Sequence, residues 1–414
     1  MDAYDHRTIG QRQDLFLFHA DSPGAAFWLP RGLTLFQGLE TFIRDHMRVQ
    51  GYAEIRTPQV MNRTLWETSG HWEAFSANMF RVSGNREDGG DHRELALKPM
   101  SCPGHMRVFQ ARTRSHRELP LRFSEFGLCH RDEPSGALLG LMRGRAFTQD
   151  DAHVFCAPDQ VAGEVARVCQ LIGRIYDELG FPDVAVGLST RPETRVGEEA
   201  DWDRAEALLL EAARATGLDP VVQPGEGAFY GPKLEFILTD QRGRRWQCGT
   251  VQIDLNLPER FDAVFVGADG SKHRPVLIHH AVLGSLERFI AILLEHEKGQ
   301  LPFWLAPDQV LVAAVGPDQE RAALEATDRL RALGLRATVD VRAESLSRKV
   351  ADSVSLGIPV VAAIGAREAV DGTVTLRWPD GAKDVMYLEA AAARLRALTQ
   401  RATHRPEGRR VTAA

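Results

Sequence analysis

Between Leu33 and Gln50, apolar residues recur at spacings of three and four. Leu35, Phe36, Leu39, Phe42, Ile43 and Met47 share one face, which predicts an amphipathic helix ended by Gly51. YAEIRTPQV then predicts a strand interrupted by Pro58, and the polar, Gly-rich GNREDGGDHR a loop or hairpin tip. LPLRFSEFGLCHRDE alternates as a strand does and runs into PSGALLGLMRGR, a loop rich in Gly and Arg. A helix is predicted over about 158–179, up to Gly180. AVGLST, LEFILTD, RRWQCGTVQIDLNL and DAVFVGA predict further strands, and HHAVLGSLERFIAILLEH a long apolar helix ending near Gly299. Strands that follow one another without helices between them predict a largely antiparallel sheet.

QLPFWLAP (300–307), with two prolines, reads as a linker or domain edge. Beyond it the pattern becomes strand, helix, strand, helix, strand: VLVAAVG, QERAALEATDRLRALG, LRATVDVR, ESLSRKVADSVSLG and IPVVAAIG. GTVTLRW adds a strand and LEAAAARLRALTQ a closing helix, so a separate α/β domain with a mostly parallel sheet is expected. The division is 1–300, 301–400 and a basic tail over 401–414 with no apolar periodicity, expected to be disordered. The fold class is α+β, with no internal repeats.

Length and composition narrow the function classes. At roughly 100–200 residues per domain, 414 residues allow two to four domains. With 26% charged and 44% hydrophobic residues the chain is neither disordered throughout nor a small disulfide scaffold. No apolar run is long enough for a membrane span, and the charged N-terminus does not read as a secretory signal. Cys102, Cys129, Cys156, Cys169 and Cys248 have no paired spacing, which suits a reducing cytoplasm and thiols that are buried, reactive or metal-bound. A net charge of −6 gives no global attraction to nucleic acid. An enzyme of the cytoplasm is expected.

Three segments carry candidate chemistry. In FSEFGLCHRDEPSGALLGLMRGRAFTQDDAHVF, Arg131 and Glu133 precede a loop with Arg143 and Arg145, and Gln149, Asp150, Asp151 and His153 follow it. These charges fit a solvated surface hairpin. They equally fit a phosphate clamp, because the planar guanidinium fork donates two parallel hydrogen bonds. In VLIHHAVLGSLERFIAILLEH the pair Glu287–Arg288 interrupts an apolar run. It either faces solvent or places a cation over a planar ligand lying close to the small Gly284–Ser285. The third feature is a scattered set of soft ligands, Cys102, His153 and His279, with a weak CxxH at Cys102–His105. Their spacing carries no signal; a Cys/His/His set with an open fourth position would suit Zn²⁺.

At these residues the chain resembles the class II aminoacyl-tRNA synthetases, and among them the threonyl-tRNA synthetases. The likeness runs from about Asp5 to Leu398. It is dense in DHRTIGQRQDLF, FWLPRG, LWETSGHW, LKPMSCPGH, EFGLCHRDEPSG, FTQDDAHVF, FYGPKLEF, WQCGTVQIDLNLP and LGSLERFI. Motif 1, which builds the family's dimer interface, corresponds to the helix before GYAEIRTPQV with its Pro58. Motif 2 corresponds to Arg131-x-Glu133 and its loop, and motif 3 to Gly284-x-x-Glu287-Arg288.

The resemblance implies an antiparallel catalytic sheet flanked by helices, an anticodon-binding α/β domain and a homodimer. It implies that Arg131 grips the α-phosphate of ATP and Arg288 the γ-phosphate, with Arg143, Glu133 and Gln252 also at the nucleotide and Mg²⁺ assisting. It assigns one Zn²⁺ per subunit to Cys102, His153 and His279, with open positions for the amino and hydroxyl groups of L-threonine. Met100, Gln149, Asp151, Tyr230, Lys233 and Gln247 would line that pocket. The implied partners are ATP, threonine and tRNA-Thr, with no membrane.

The chain also departs from the family. Typical bacterial members carry two further N-terminal domains, one of which hydrolyses mischarged Ser-tRNA. This sequence begins at the catalytic domain, so no editing in cis and some serine misacylation are expected. Leu139 and Ala146 stand in the motif 2 loop where His and Gly are usual, and Ala343 and Ala351 replace a usual Asn and Arg near the anticodon. Glu368 and Arg377 are kept. Residues 308–400 hold 12 Lys+Arg against 13 Asp+Glu, so no strong positive field compensates. Besides a threonine–tRNA ligase, three further readings stand: a paralogue that activates threonine for a carrier protein or another acceptor, an inhibitor-resistant duplicate, and a non-catalytic regulator. The retained arginines and metal-type ligands disfavour the last.

Overall fold

A computed structural model of the chain describes residues 2–83 and 94–399. GNREDGGDHR, expected to be a loop or hairpin tip, and the basic tail lie outside the described residues. Two compact units are present. Of the described residues, one takes Ser22–Ala25 and Glu40–Phe289; the other takes 2–21, Ala26–Leu39 and 290–399.

The first unit is built on an eight-stranded sheet. Its strands are β1 (Ala53–Glu54), β2 (Leu121–His130), β3 (Ala146–Cys156), β4 (Val184–Ser189), β5 (Val221–Gln223), β6 (Lys233–Thr239), β7 (Arg245–Asp254) and β8 (Val276–Ala281). They lie in the order β5-β4-β6-β7-β8-β3-β2-β1. Only the edge pairs β4–β5 and β1–β2 are parallel, as the lack of helical crossovers between most strands requires. The amphipathic stretch after Leu29 is helix α1 (Pro30–Val49), which buries Leu35, Leu39, Phe42, Ile43 and Met47. Helix α2 (Cys102–Gln110) buries Met106 and Phe109, and Phe109 stacks on Phe155 of β3 with ring centroids 4.4 Å apart. Helix α3 (Val161–Glu178) buries Val165, Val168, Cys169, Ile172 and Tyr176. Helix α4 (Glu199–Ala215) was not anticipated from the sequence pattern. All five cysteines are free and buried.

One expectation fails here. HHAVLGSLERFIAILLEH is not one helix: His279 and His280 belong to β8, and helix α5 spans only Leu286–His296. β8 sits between β7 and β3 with every residue buried, so neither the two-residue nor the 3.6-residue period marks the change. Gly284, with φ at +84°, makes the turn between strand and helix. Similarly, DAVFVGA yields only the short strand Phe265–Val266, and RRWQCGTVQIDLNL leaves the sheet at Asp254 to enter a short helix, Asn256–Arg260.

The second unit contains a five-stranded sheet, β9 (Val310–Ala314), β10 (Ala337–Asp340), β11 (Val360–Ile364), β12 (Thr373–Arg377) and β13 (Lys383–Tyr387), ordered β10-β9-β11-β12-β13. Helices α6 (Glu320–Ala332) and α8 (Leu388–Thr399) cover the face of Val310 and Val312, and α7 (Leu346–Ser355) covers that of Leu311 and Ala313. Burial on both faces explains the uninterrupted apolar runs VLVAA and VVAAI. The sheet is mixed rather than mostly parallel, because β12 and β13 join as a hairpin and pair antiparallel. No helix among the described residues is long and apolar enough to cross a membrane.

Candidate active site

Directly paired residues of a sheet point to the same face. The register of the first unit sets Lys233 opposite Gln252, Gln252 opposite His279, and His279 opposite His153. One pleat along, Glu235, Thr250, Ala281, Asp151 and Glu125 form a second row, and Gln149 follows opposite Gly127. The first turn of α2 brings Cys102 and His105, three residues apart and so on one side of the helix, against this face. Gly127 has no room for a side chain, since a Cβ there would lie 2.4 Å from Oγ of Ser101.

Cys102, His153 and His279 converge: one ligand atom of each lies within 4.8 Å of the others, and all three residues are buried. Nε2 of His153 is 2.9 Å from Nδ1 of His279. The other nitrogen of His279 faces the Asp254 carboxylate at 2.9 Å, and Asp254 is held in turn by the amides of Asn256 and Leu257. Burial, with Asp151 and Asp254 nearby, pushes the Cys102 thiol well above its usual range, and burial also raises the Asp151 carboxyl. A dry, carboxylate-lined site of this kind favours a cation that a thiolate and two neutral imidazoles can share.

Around it lies a polar pocket. The Tyr230 hydroxyl donates to Oε1 of Gln252 at 2.9 Å. Glu235 accepts from Gln247 at 2.9 Å and pairs with Lys233; a register shift between Glu235 and Ile237 sets Gln247 opposite Ile237. Sδ of Met100 lies 3.3 Å from Nε2 of the fully buried His71. Oε1 of Gln149 is buried without a partner among the described residues.

The cationic side of the site is assembled next to this pocket. The Arg131 guanidinium sits between the rings of Phe75 and Phe147, 5.5 and 5.0 Å from their centroids, and Nε donates to the Pro99 carbonyl. Glu133 is buried and accepts from Arg143 at 2.7 Å, while Arg143 itself is 57% exposed. Nε of Arg288 is buried without a partner among the described residues. Gln149 and Arg288 thus each have a buried polar atom to which a water, an ion or a ligand can bond. Two carboxylates tie β3 to the start of α5. Asp150 accepts the amides of Val282, Leu283 and Gly284, and Glu287 accepts the amide of Thr148 at 2.8 Å.

Every catalytic, nucleotide, substrate and metal candidate read from the sequence thus lies in the first unit. Glu368 and Arg377 lie in the second. There Glu368 accepts from the Gly365 amide and the Thr375 hydroxyl, and Arg377 ends β12. Ala343 and Ala351 are exposed, as is Leu139, at 45%. The sequence reading missed Asp254, Glu125, Glu235 and His71, and gave His105 no role. Alternation along IDLN and FSEF, and the i, i+3 spacing of Cys102 and His105, were the only local signals for them.

The tRNA synthetase class II core domain (G, H, P, S and T) matches residues 80–297, and the anticodon binding domain matches residues 309–398. The chain is 49% identical over 392 residues to the threonine–tRNA ligase of Rhodospirillum rubrum, covering 94% of this chain and 60% of that one. It is 50% identical over 400 residues to the threonine–tRNA ligase of a Caulobacter species, covering 96% and 60%. The chain therefore spans about 60% of the length of these curated relatives. A crystal structure described as the RNA binding domain of threonyl-tRNA synthetase from Cryptosporidium parvum superposes with a TM-score of 0.91 at 40% identity, covering 95% of this chain and 98% of that chain.

Proposed function

The chain belongs to the threonyl-tRNA synthetases of class II, and on that premise we propose that it activates L-threonine with ATP and transfers it to tRNA-Thr. The observation that carries this reading is the convergence of Cys102, from α2, with His153 and His279, paired on one sheet face, in the same unit as Arg131, Arg143 and Arg288.

The donor set fits Zn²⁺. One thiol and two imidazoles would leave a bound zinc with open coordination, and the carboxylate behind His279 is the usual support for a metal-bound imidazole. Zinc held there would offer its open positions to the amino and hydroxyl groups of threonine. Asp151 accepts from the bound amino acid, and Gln149, Tyr230 and Gln247 complete its polar surroundings, with Met100 and Lys233 at the border. Valine lacks the hydroxyl and leaves such a site unsatisfied, which is how a polar pocket rejects an isostere.

Activation is the in-line attack of a carboxylate oxygen of threonine on the α-phosphorus of ATP. That P–O bond forms as the bond to pyrophosphate breaks, giving threonyl-adenylate. Arg131 neutralises the α-phosphate, Arg288 the γ-phosphate, and Arg143, aimed by Glu133, covers the nucleotide; Gln252 lies at its edge and Mg²⁺ enters with ATP. No side chain forms a bond to substrate, so the contribution is position and charge. A terminal ribose hydroxyl of tRNA then attacks the adenylate carbonyl and releases AMP. We assign the anticodon contact to Glu368 and Arg377 and motif 1 to a homodimer contact.

Threonine-dependent pyrophosphate exchange together with charging of tRNA-Thr tests the proposal; failure of exchange refutes it. A second reading, activation for a carrier protein, is favoured by the second unit. Around exposed Ala343 and Ala351, Arg342 is bound to Asp340 and Asp352, and Arg348 to Asp352, so little free positive charge faces RNA. Exchange without tRNA charging would select it.

A further inference from the structure

A chain of buried polar groups continues behind His153, on the side away from His279. Nδ1 of His153 is 3.0 Å from Nδ1 of His105, and Nε2 of His105 is 3.2 Å from Oε2 of Glu125. Glu125 is anchored in turn. Its Oε1 accepts the Thr57 amide at 2.8 Å and Nζ of Lys98 at 2.9 Å, and its Oε2 accepts the Thr57 hydroxyl at 2.9 Å. The Thr57 hydroxyl is free to donate to Glu125 because Lys98 supplies a proton to the same oxygen. His105 is 0% exposed, Lys98 1% and Glu125 3%.

These partners fit one arrangement of protons in particular. A carboxylate only accepts, so the His105 nitrogen that faces Glu125 carries hydrogen. Nδ1 of His105 is then the nitrogen left to accept, and the group that faces it among the described residues is Nδ1 of His153. His153 must therefore carry its proton on Nδ1, and its Nε2 is left with a lone pair. By the same logic Asp254 holds the His279 proton on Nε2 and frees Nδ1. The two freed nitrogens are those that approach each other to 2.9 Å. Two lone pairs aimed at one point repel unless a cation lies between them.

We propose that His105 and Glu125 are positioning residues of the cation site, holding the His153 proton on Nδ1 so that Nε2 is presented to the metal. The inference rests on the zinc reading above. It ties the cation site to the buried ion pair Lys98–Glu125 through His105. It also explains why a third histidine is buried beside two that suffice as ligands. A histidine that merely filled space would need no donor facing one nitrogen and no carboxylate facing the other.

The test is zinc affinity, measured on the full chain by competition with a chromophoric chelator. His105→Phe keeps the ring volume and removes the acceptor, and is expected to weaken zinc binding by about 10–100-fold. His105→Asn puts a carbonyl oxygen where Nδ1 stands and is expected to remain within a few-fold of wild type, although it too gives up the contact with Glu125. Equal losses in both variants would mean that His105 only fills space, and would overturn the inference, as would wild-type affinity in His105→Phe. Should His105→Phe not fold, a crystal structure of the zinc-loaded wild type decides the matter. Coordination through Nε2 of His153, with Nδ1 on His105, supports the proposal, and coordination through Nδ1 overturns it. Wild-type protein that binds no zinc overturns the zinc reading itself, an outcome separate from normal wild-type binding with an indifferent His105→Phe.

Discussion

The Asp150 carboxylate accepts the Gly284 amide at 3.0 Å, and with it the amides of Val282 and Leu283 at 2.8 Å each. This one side chain closes the turn that β8 makes before α5, and so connects the strand bearing Asp151 and His153 to the helix bearing Arg288. Asp150→Ala strands three amides in a buried turn and is expected to destabilise the chain by at least about 2 kcal/mol. Urea denaturation reads the loss. Pyrophosphate exchange should show the ATP KM rising more than the threonine KM, because the turn leads into the phosphate-facing arginine.

Glu287 makes the reciprocal contact with the Thr148 amide, and burial pushes its carboxyl up to about 7 against that hydrogen bond. The folded state therefore binds the proton more tightly than the unfolded chain, whose glutamate titrates near 4.5. The stabilisation is complete below pH 4.5 and is lost as pH rises through about 7, a change on the order of 3 kcal/mol. Glu287→Gln should flatten that slope between pH 5 and 8 in chemical denaturation. Asp150, raised to about 7 by burial, keeps part of it. A slope unchanged in Glu287→Gln would show that this carboxyl is ionised throughout.

Metal removal should separate amino-acid selection from nucleotide binding. Cys102→Ala, or dialysis of the wild type against a strong chelator, is expected to abolish threonine-dependent exchange while leaving ATP binding by calorimetry within a few-fold. Serine retains the hydroxyl and lacks one methyl, so it should be activated about 10–200-fold less efficiently than threonine, with valine lower still. Exchange that survives removal of the metal would rule out a role for it in selecting the amino acid.

Arg131 is held between Phe75 and Phe147, so its charge is aimed before any substrate arrives. Arg131→Ala should lower kcat for exchange by about 10²–10³-fold. Arg143→Ala should cost less, because that side chain is largely exposed. Glu133→Gln, acting through Arg143, should fall no further than Arg143→Ala. A larger effect in Glu133→Gln would mean that Glu133 contacts the nucleotide directly.

Ala351 is exposed on α7, whose exposed basic residue Arg348 is already paired with Asp352. Ala351→Arg adds an unpaired cation and should steepen the salt dependence of tRNA binding, raising the slope of log K against log salt by about 0.7–0.9. Filter binding at several salt concentrations measures it. No change in slope would place the RNA elsewhere on the second unit.

Local patterns in the sequence determined much of this protein. The helix Pro30–Val49 follows from the spacing of Leu35, Leu39, Phe42 and Ile43, and the run QDDAHVF places Gln149, Asp151 and His153 on one strand face because side chains alternate. The motif residues Arg131, Glu133 and Arg288 were singled out by the resemblance of their neighbouring residues to the family, since local pattern left a solvated surface open as well. The tertiary structure alone decided which distant residues meet. His153 and His279 are 126 positions apart, and they are adjacent because β8 pairs with β3 in a register that sets one histidine opposite the other. The second half of β8, from His279, was read as helix, since burial on both faces erased its period and only the turn at Gly284 divides it from α5. Asp254, His105 and Glu125 were hidden for the same physical reason. Their partners are chosen by strand order and register, which depend on burial across the whole sheet rather than on nearby residues.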